Sequence, residues 1–365
     1  MLELFVADAP DASPASHEPF RRLSLSEVGL SREELHRRYT MYDAQSLASS
    51  IKGTLLAACL ERTGGPALLL DADTLVLGAL DDLCELTARH AILLTPHASV
   101  PLQFAAGEMG LEQSFLRAGI FNGGFVGVSR GADAFLRWWS ERCARDCIHA
   151  PDRGLFYSQN WLGLVPALFD HHVLRDRGIN LTGLGMGEDD IGWREGRPWI
   201  GDRPVRLFHF AGKFDPHSGC FDTLRDADWW PRVAGRPGFA RLCQDYARRL
   251  LRSGFDGAAP VDHSGFDWVM RAAYRQALLK SEANGGVEPP NPFAHGMAAF
   301  TEWLARPANP GSRVSRYLAA LYSERPDLRA AFPNVPGDGE GKLLAWVASK
   351  YGGKLPRGLP TEAAL

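Results

Sequence analysis

No apolar run in the chain approaches the ~20 residues of a membrane-crossing helix, so a helical span is not expected. No charge sign dominates either: 40 Lys and Arg stand against 43 Asp and Glu. Without a basic stripe carrying interleaved aromatics, a nucleic-acid partner is not expected. Cysteine is sparse, with six residues at 59, 84, 143, 147, 220 and 243 and no CxxC pair. That argues against a disulfide scaffold and for reduced thiols in a cytoplasmic protein. The opening MLELFVADAPDASP lacks a basic segment followed by a long apolar core, so it does not read as a secretory signal. Cys143 and Cys147 lie one helical turn apart near His149, but a metal site there wants a fourth ligand, and buried free thiols are the plainer reading.

What remains is the composition of a globular protein, 45% hydrophobic and 23% charged, in 365 residues that allow one large domain or two ordinary ones. The first two-thirds alternates strand and helix signals. LELFV, RRLSL, ALLLD, AILLTP, GFVGVS, HHVLRD and VRLFHFAG read as strands. Leu47, Ile51, Leu55 and Cys59 recur at helical spacing up to a stop at Thr63-Gly64-Gly65-Pro66. Helices are also predicted near 111–116, 132–147 and 161–169. This alternation predicts an α/β fold with a mostly parallel sheet covered by helices on both faces. Beyond about Gly235 only helical patterns follow, separated by Pro- and Gly-rich connectors such as NGGVEPPNPF and RPANPGS. The expected organisation is therefore a sheet domain over 1–235 and a helical region over 236–365.

One strand carries an anomaly. LLLDADTLVLG, residues 68–78, runs apolar into two carboxylates one residue apart. Residues i and i+2 of a strand share a face, so Asp71 and Asp73 would present oxygens together at the carboxyl end of a buried strand. In open α/β sheets that edge is where ligands bind. Two carboxylates there suit a hard divalent cation, and the cation suits a diphosphate. The alternative is local: Asp73-Thr74 capping a turn, or Asp71 closing a strand-to-helix loop.

LLLDADTLVLGALDDL resembles the metal-binding strand of nucleotide-sugar glycosyltransferases with the GT-A (Rossmann-like) fold, in particular glycosyltransferase family 8 and its bacterial relatives. Further stretches match in order, over roughly Leu2–Pro216. SIKGTLLAACL resembles the helix whose basic residue reaches the donor, which implies Lys52. FNGGFVGVSR resembles the family's Asn-small-Gly motif and implies Asn122, Gly123 and Gly124 beside the donor sugar. YSQNWLGLVP resembles the Asp-Gln segment of the reaction centre, with Gln159 as the match and Ser158 in place of the acid. LFHFAGK resembles the late strand that implies His209 as third metal ligand, with Gly212 and Lys213 on the diphosphate. The resemblance implies a retaining hexosyltransferase, with Asp73, Asn122 and Gln159 at the reaction centre and a UDP-sugar as the expected donor. The acceptor class stays open between carbohydrate, lipid-linked and small-molecule.

Elementary chemistry bears on each position. Two carboxylates with one imidazole are softer than Mg2+ prefers, so Mn2+ is the better match. Lys213 would add a point charge for the leaving group, and the glycines let backbone approach a sugar closely. Each residue has a plainer reading as well: Gly123-Gly124 as a turn, His209 as a satisfied core histidine, Lys52 as part of a solvated helix face.

Two features depart from the family pattern. LELFVADAP corresponds to the second strand of relatives, so their first strand-helix unit is not expected here. Ser158 can hydrogen-bond to a sugar but cannot stabilise positive charge, and the alternative reading is an impaired enzyme that only binds its donor. An inverting reaction would need a base near the acceptor, and Glu188, Asp189 and Asp190 are the acidic cluster available, with a solvated loop as the alternative. Trp193, Trp199, Trp229 and Trp230 fit either a sugar-stacking platform or packing between domains. A haloacid-dehalogenase-type phosphatase is a rival reading of the DxD strand, with Asp71 as nucleophile and Asp73 as acid, although Leu75 stands where that motif has Thr or Val.

Overall fold

A computed structural model of the chain describes residues 2–6, 20–101, 111–187, 189–212, 214–221, 235–255 and 265–351. The fold is mixed α/β and resolves into two compact units. The first comprises Met1–Gly29 and Ala48–Val261, the second Leu30–Leu47 and Asp262–Leu365. The division thus falls at Val261, not near Gly235. Packing explains the difference: Phe239, Leu242, Cys243 and Tyr246 sit in one buried cluster with Phe208 and Phe210, so their helix belongs with the sheets.

In the first unit, helix α1 (Lys52–Thr63) ends on Gly64, whose φ of 65° gives the left-handed cap predicted by the Gly-Gly-Pro stop. Strand β1 (Ala67–Leu70) follows, then β2 (Thr74–Val76), α2 (Asp81–Arg89) and β3 (Ile92–Pro96). Beyond the helix at Leu111–Ala118 come β4 (Phe121–Val128), α3 (Asp133–Asp146), α4 (Gln159–Leu162), β5 (His172–Val173), β6 (Leu207–His209) and α5 (Pro237–Arg252).

The central sheet has the order β1-β4-β3-β5. Strand β4 is buried at every position and runs antiparallel to both β1 and β3, while only β3 and β5 pair in parallel. The described residues therefore form no large parallel sheet, contrary to the expectation from the βα alternation. Alternation fixes where strands lie, but β4 enters between two parallel neighbours from the opposite end. Its amino end consequently meets the carboxyl ends of β1 and β3 along one edge. Strand β6 pairs antiparallel with β2 in a separate ribbon, His209 opposite Thr74.

The second unit is helical. Its long helix, Trp268–Asn284, starts at Asp267, whose side chain accepts the backbone N–H groups of Val269 and Met270. It ends on Gly285 in the left-handed region, at φ 64°. Tyr274, Leu278, Phe300 and Leu304 are fully buried. The buried Arg271 donates to the carbonyls of Tyr39 and Tyr42. No helix among the described residues is long and apolar enough to cross a membrane.

Candidate functional site

Asp71 and Asp73 occupy a tight turn beyond β1 in which the Thr74 N–H donates to the Asp71 carbonyl at 3.0 Å. Two other segments hold this turn. The Asp71 N–H donates to the Gly124 carbonyl at 3.0 Å, and the Phe210 N–H donates to the Asp73 carbonyl at 2.9 Å. The backbone thus fixes both carboxylates before any side-chain contact forms.

His209, at the end of β6, is 5% exposed. Its Nε2 lies 3.1 Å from Asp73 Oδ1 and 3.9 Å from Asp71 Oδ2. One ligand atom from each of Asp71, Asp73 and His209 falls within 4.8 Å of the other two, the geometry of a three-donor cation site. This is the only cluster of that kind among the described residues. The donor set fits a divalent cation: two anionic oxygens and one imidazole nitrogen converge, and the remaining His209 nitrogen, Nδ1, is buried without a hydrogen bond. Burial works to raise the Asp73 carboxyl, but the hydrogen bond and charge of His209, with Lys52 behind them, outweigh it and hold the carboxyl below its ordinary value.

Lys52 is turned inward, its side chain 11% exposed. Its Nζ lies 2.5 Å from Asp71 Oδ1 and donates to the Gly123 carbonyl at 3.0 Å. The start of α1 can sit this low because Gly53 has no side chain; a Cβ there would stand 2.7 Å from Ser140 Oγ of α3. The solvated-face reading of Lys52 is set aside by this geometry.

The Asn-Gly-Gly stretch begins β4. Asn122 Oδ1 accepts the Gly124 N–H at 2.7 Å, and Gln159 Oε1 accepts the Gly123 N–H at 3.1 Å. Gln159 Nε2 donates to the Ala118 carbonyl at 2.8 Å. Gly124 is required for a close approach rather than a turn, since a Cβ on it would lie 2.2 Å from His209 Cε1. Ser158 is buried just before α4, its carbonyl accepting the Trp139 indole N–H at 3.0 Å. Gly212 adopts φ 117°, in the region glycine favours. The structure thus gathers Lys52, Asp71, Asp73, Asn122, Gly123, Gly124, Gln159 and His209 around one sheet edge. Lys213, Glu188, Trp229 and Trp230 lie outside the described residues.

Other candidates serve the scaffold. Asp190 accepts the N–H groups of Gly238 and Phe239 at 2.9 and 2.8 Å, capping α5, and Asp189 pairs with Arg177 at 2.7 Å. Neither is a bare carboxylate on a solvated loop. The Trp193 ring is covered by the Arg241 guanidinium at 3.8 Å and the Trp199 ring by that of Arg194 at 4.4 Å. Cys143 and Cys147 are buried and form no disulfide, while His149 packs on Phe156.

Two residues of this region escaped the sequence reading. His97 directly follows β3 and stacks on Phe115 at 4.9 Å. Both its nitrogens are buried without a normal hydrogen bond. Burial first, then the charge of His209, push its pKa down to about 4, and the Gln159 amide beside it offsets this only in part. The strand-end rule that singled out Asp71 applies equally to His97. Tyr246, on α5, stacks on Phe210 at 3.8 Å. Burial, then the negative charge of Asp73, push its phenol up to about 12.

A 127-residue stretch, 33% of the chain, is 30% identical to YfnF, an uncharacterized protein of Bacillus subtilis (strain 168), of which it covers 41%. A 103-residue stretch, 26% of the chain, is 29% identical to YfnD, a second uncharacterized protein of the same organism, of which it covers 32%. The chain thus spans well under half the length of these relatives. No family model matches it, and no solved structure matches it.

Proposed function

We propose that this chain is a metal-dependent glycosyltransferase that moves a hexosyl group from a nucleotide-diphosphate sugar, a UDP-sugar in the first instance, to a carbohydrate, lipid-linked or small-molecule acceptor. The observation that carries the reading is the convergence of Asp71, Asp73 and His209 within 4.8 Å. We read the sheet as a variant of the GT-A architecture in which β4 runs against its neighbours.

A divalent cation held by these three residues, Mn2+ by the mixed donor set, supplies charge stabilisation for a departing diphosphate. The remaining roles fall to the chain itself. Lys52 balances the Asp71 carboxylate and sets the Gly123 carbonyl. Asn122 and Gln159 accept the N–H groups of Gly124 and Gly123 and so hold the stretch against which the sugar would lie, a positioning role. His97, buried beside Gln159, stays neutral near pH 7 and adds no positive charge next to His209. The engagement of Asp189 and Asp190 elsewhere favours retention, in which the departing phosphate oxygen accepts the acceptor's proton on the same face.

Calorimetry of the full chain with a panel of nucleotide-diphosphate sugars, with and without Mn2+, tests the reading. Binding is expected to require the metal, and Asp73→Ala is expected to remove the metal-dependent part while leaving a cooperative melt. Unchanged affinity in that variant overturns the site. Phosphate release from p-nitrophenyl phosphate with no sugar-nucleotide binding would instead establish the haloacid-dehalogenase-type chemistry.

A further inference from the structure

In the helical unit, helix Arg32–Met41, the segment 287–295, helix Met297–Ala305 and Arg316 line a cavity of about 1000 Å3, at the upper end of small-molecule sites. It shares no residue with the Asp-Asp-His cluster.

Its charges are unevenly matched. Of the acids lining it, Glu33 and Glu288 are engaged by Arg37 at 2.7 and 3.0 Å. Glu302 pairs with Arg306 at 2.5 Å between two exposed side chains, an arrangement of small net value that a competing anion can displace. Arg316 has no carboxylate partner among the described residues. Its Nη1 donates to the Trp303 carbonyl at 2.9 Å, and its guanidinium lies 5.2 Å from the Trp303 ring centroid. Burial, then the charge of Arg306, hold Arg316 below its usual value. The Arg316 main-chain N–H donates to the Arg306 carbonyl at 2.9 Å, so both guanidinium groups spring from neighbouring backbone on one side of the cavity.

Besides Arg32, His36, Asn291 and His295, the rest of the lining is apolar or aromatic. Trp303 stacks on Phe300 at 5.8 Å, and Phe293 stacks on His36 at 5.0 Å. Phe293 and Val287 nonetheless remain 45% and 95% exposed. A lone inorganic anion would fill little of such a space and cover none of these side chains.

We propose that this cavity binds a small organic phosphate, a phosphomonoester on an aromatic or apolar body, with its oxygens on Arg306 and Arg316 and its body against Phe293 and Trp303. A phosphomonoester carries roughly −1.5 to −2 at neutral pH and three acceptor oxygens, which answers two guanidinium groups better than the single charge of a carboxylate.

The test is calorimetry on the full chain, without added metal, using phenyl phosphate, inorganic phosphate and benzyl alcohol as probes. Phenyl phosphate is expected to bind saturably at one site, inorganic phosphate about tenfold or more weaker, and benzyl alcohol not measurably. Arg316→Gln is expected to weaken phenyl phosphate by about tenfold or more with an unchanged melt. Should that variant fail to fold, Arg306→Gln carries the same expectation. Asp73→Asn is expected to leave the affinity unchanged, which separates this site from the metal cluster. No saturation by ~10 mM phenyl phosphate, equal affinity for inorganic phosphate, or full affinity in the folded arginine variants overturns the proposal.

Discussion

Gly124 and His209 occupy one another's space: a single methyl on Gly124 would stand 2.2 Å from the imidazole Cε1 and 2.4 Å from Nδ1. The imidazole reaches Asp73 because β4 carries no side chain at that point. Gly124→Ala should therefore displace His209. Overpacking of this kind costs about 1–3 kcal/mol, and Mn2+ affinity should fall about tenfold or more as one of three donors is lost. Urea denaturation alongside metal titration checks both. Unchanged metal affinity would mean that His209 does not ligate.

Lys52 sits 2.5 Å from Asp71 Oδ1 and competes with any cation for that oxygen. Lys52→Met should raise affinity for Mn2+ alone, because a repulsive neighbour is removed, while lowering affinity for the sugar nucleotide with its negative diphosphate. Opposite signs for the two ligands are the signature sought in titration. A fall in both would make the lysine a purely structural support.

His97 supplies the pH dependence. Its folded pKa of about 4 lies below the ordinary histidine value of 6.5, so protonation favours the unfolded chain. The contribution to stability is complete above about pH 6.5 and is lost as pH falls through 6.5 towards 4. The full difference is about 3 kcal/mol. The acid limb of a denaturation-midpoint profile should be shallower in His97→Gln over that window. A profile identical to that of the parent chain would show that His97 charges freely in the native state.

Asp190 caps the amino end of α5 through the N–H groups of Gly238 and Phe239. Asp190→Ala should cost about 0.5–2 kcal/mol in urea denaturation, with donor binding and turnover retained once the protein is folded. Loss of turnover at full stability would restore the carboxylate as a catalytic base.

Much of this was legible in the sequence, and the rest was hidden for identifiable reasons. The stop of α1 at Gly64 and the buried run of β1 follow from local preference and spacing. The pairing of Asp71 and Asp73 with His209 was readable only through the resemblance, since no local pattern ties segments so far apart. Strand direction was not readable at all. GFVGVS has the same apolar signature whichever way it enters the sheet, and only the register Leu70 to Phe125 and Leu94 to Val126 reveals its antiparallel course. The unit boundary was hidden too, because the stripe Phe239, Leu242, Cys243 and Tyr246 reads as helical without saying which core it joins.

The turn bearing the two aspartates is tied on both flanks by main-chain bonds, to Gly124 on one side and from Phe210 on the other. Opening it means breaking bonds to two separate sheets at once, so the Asp71 and Phe210 amides should be among the slower to exchange with deuterium. A cation arriving there would find its ligands already in place, and its binding would add to the stability of the folded unit by mass action.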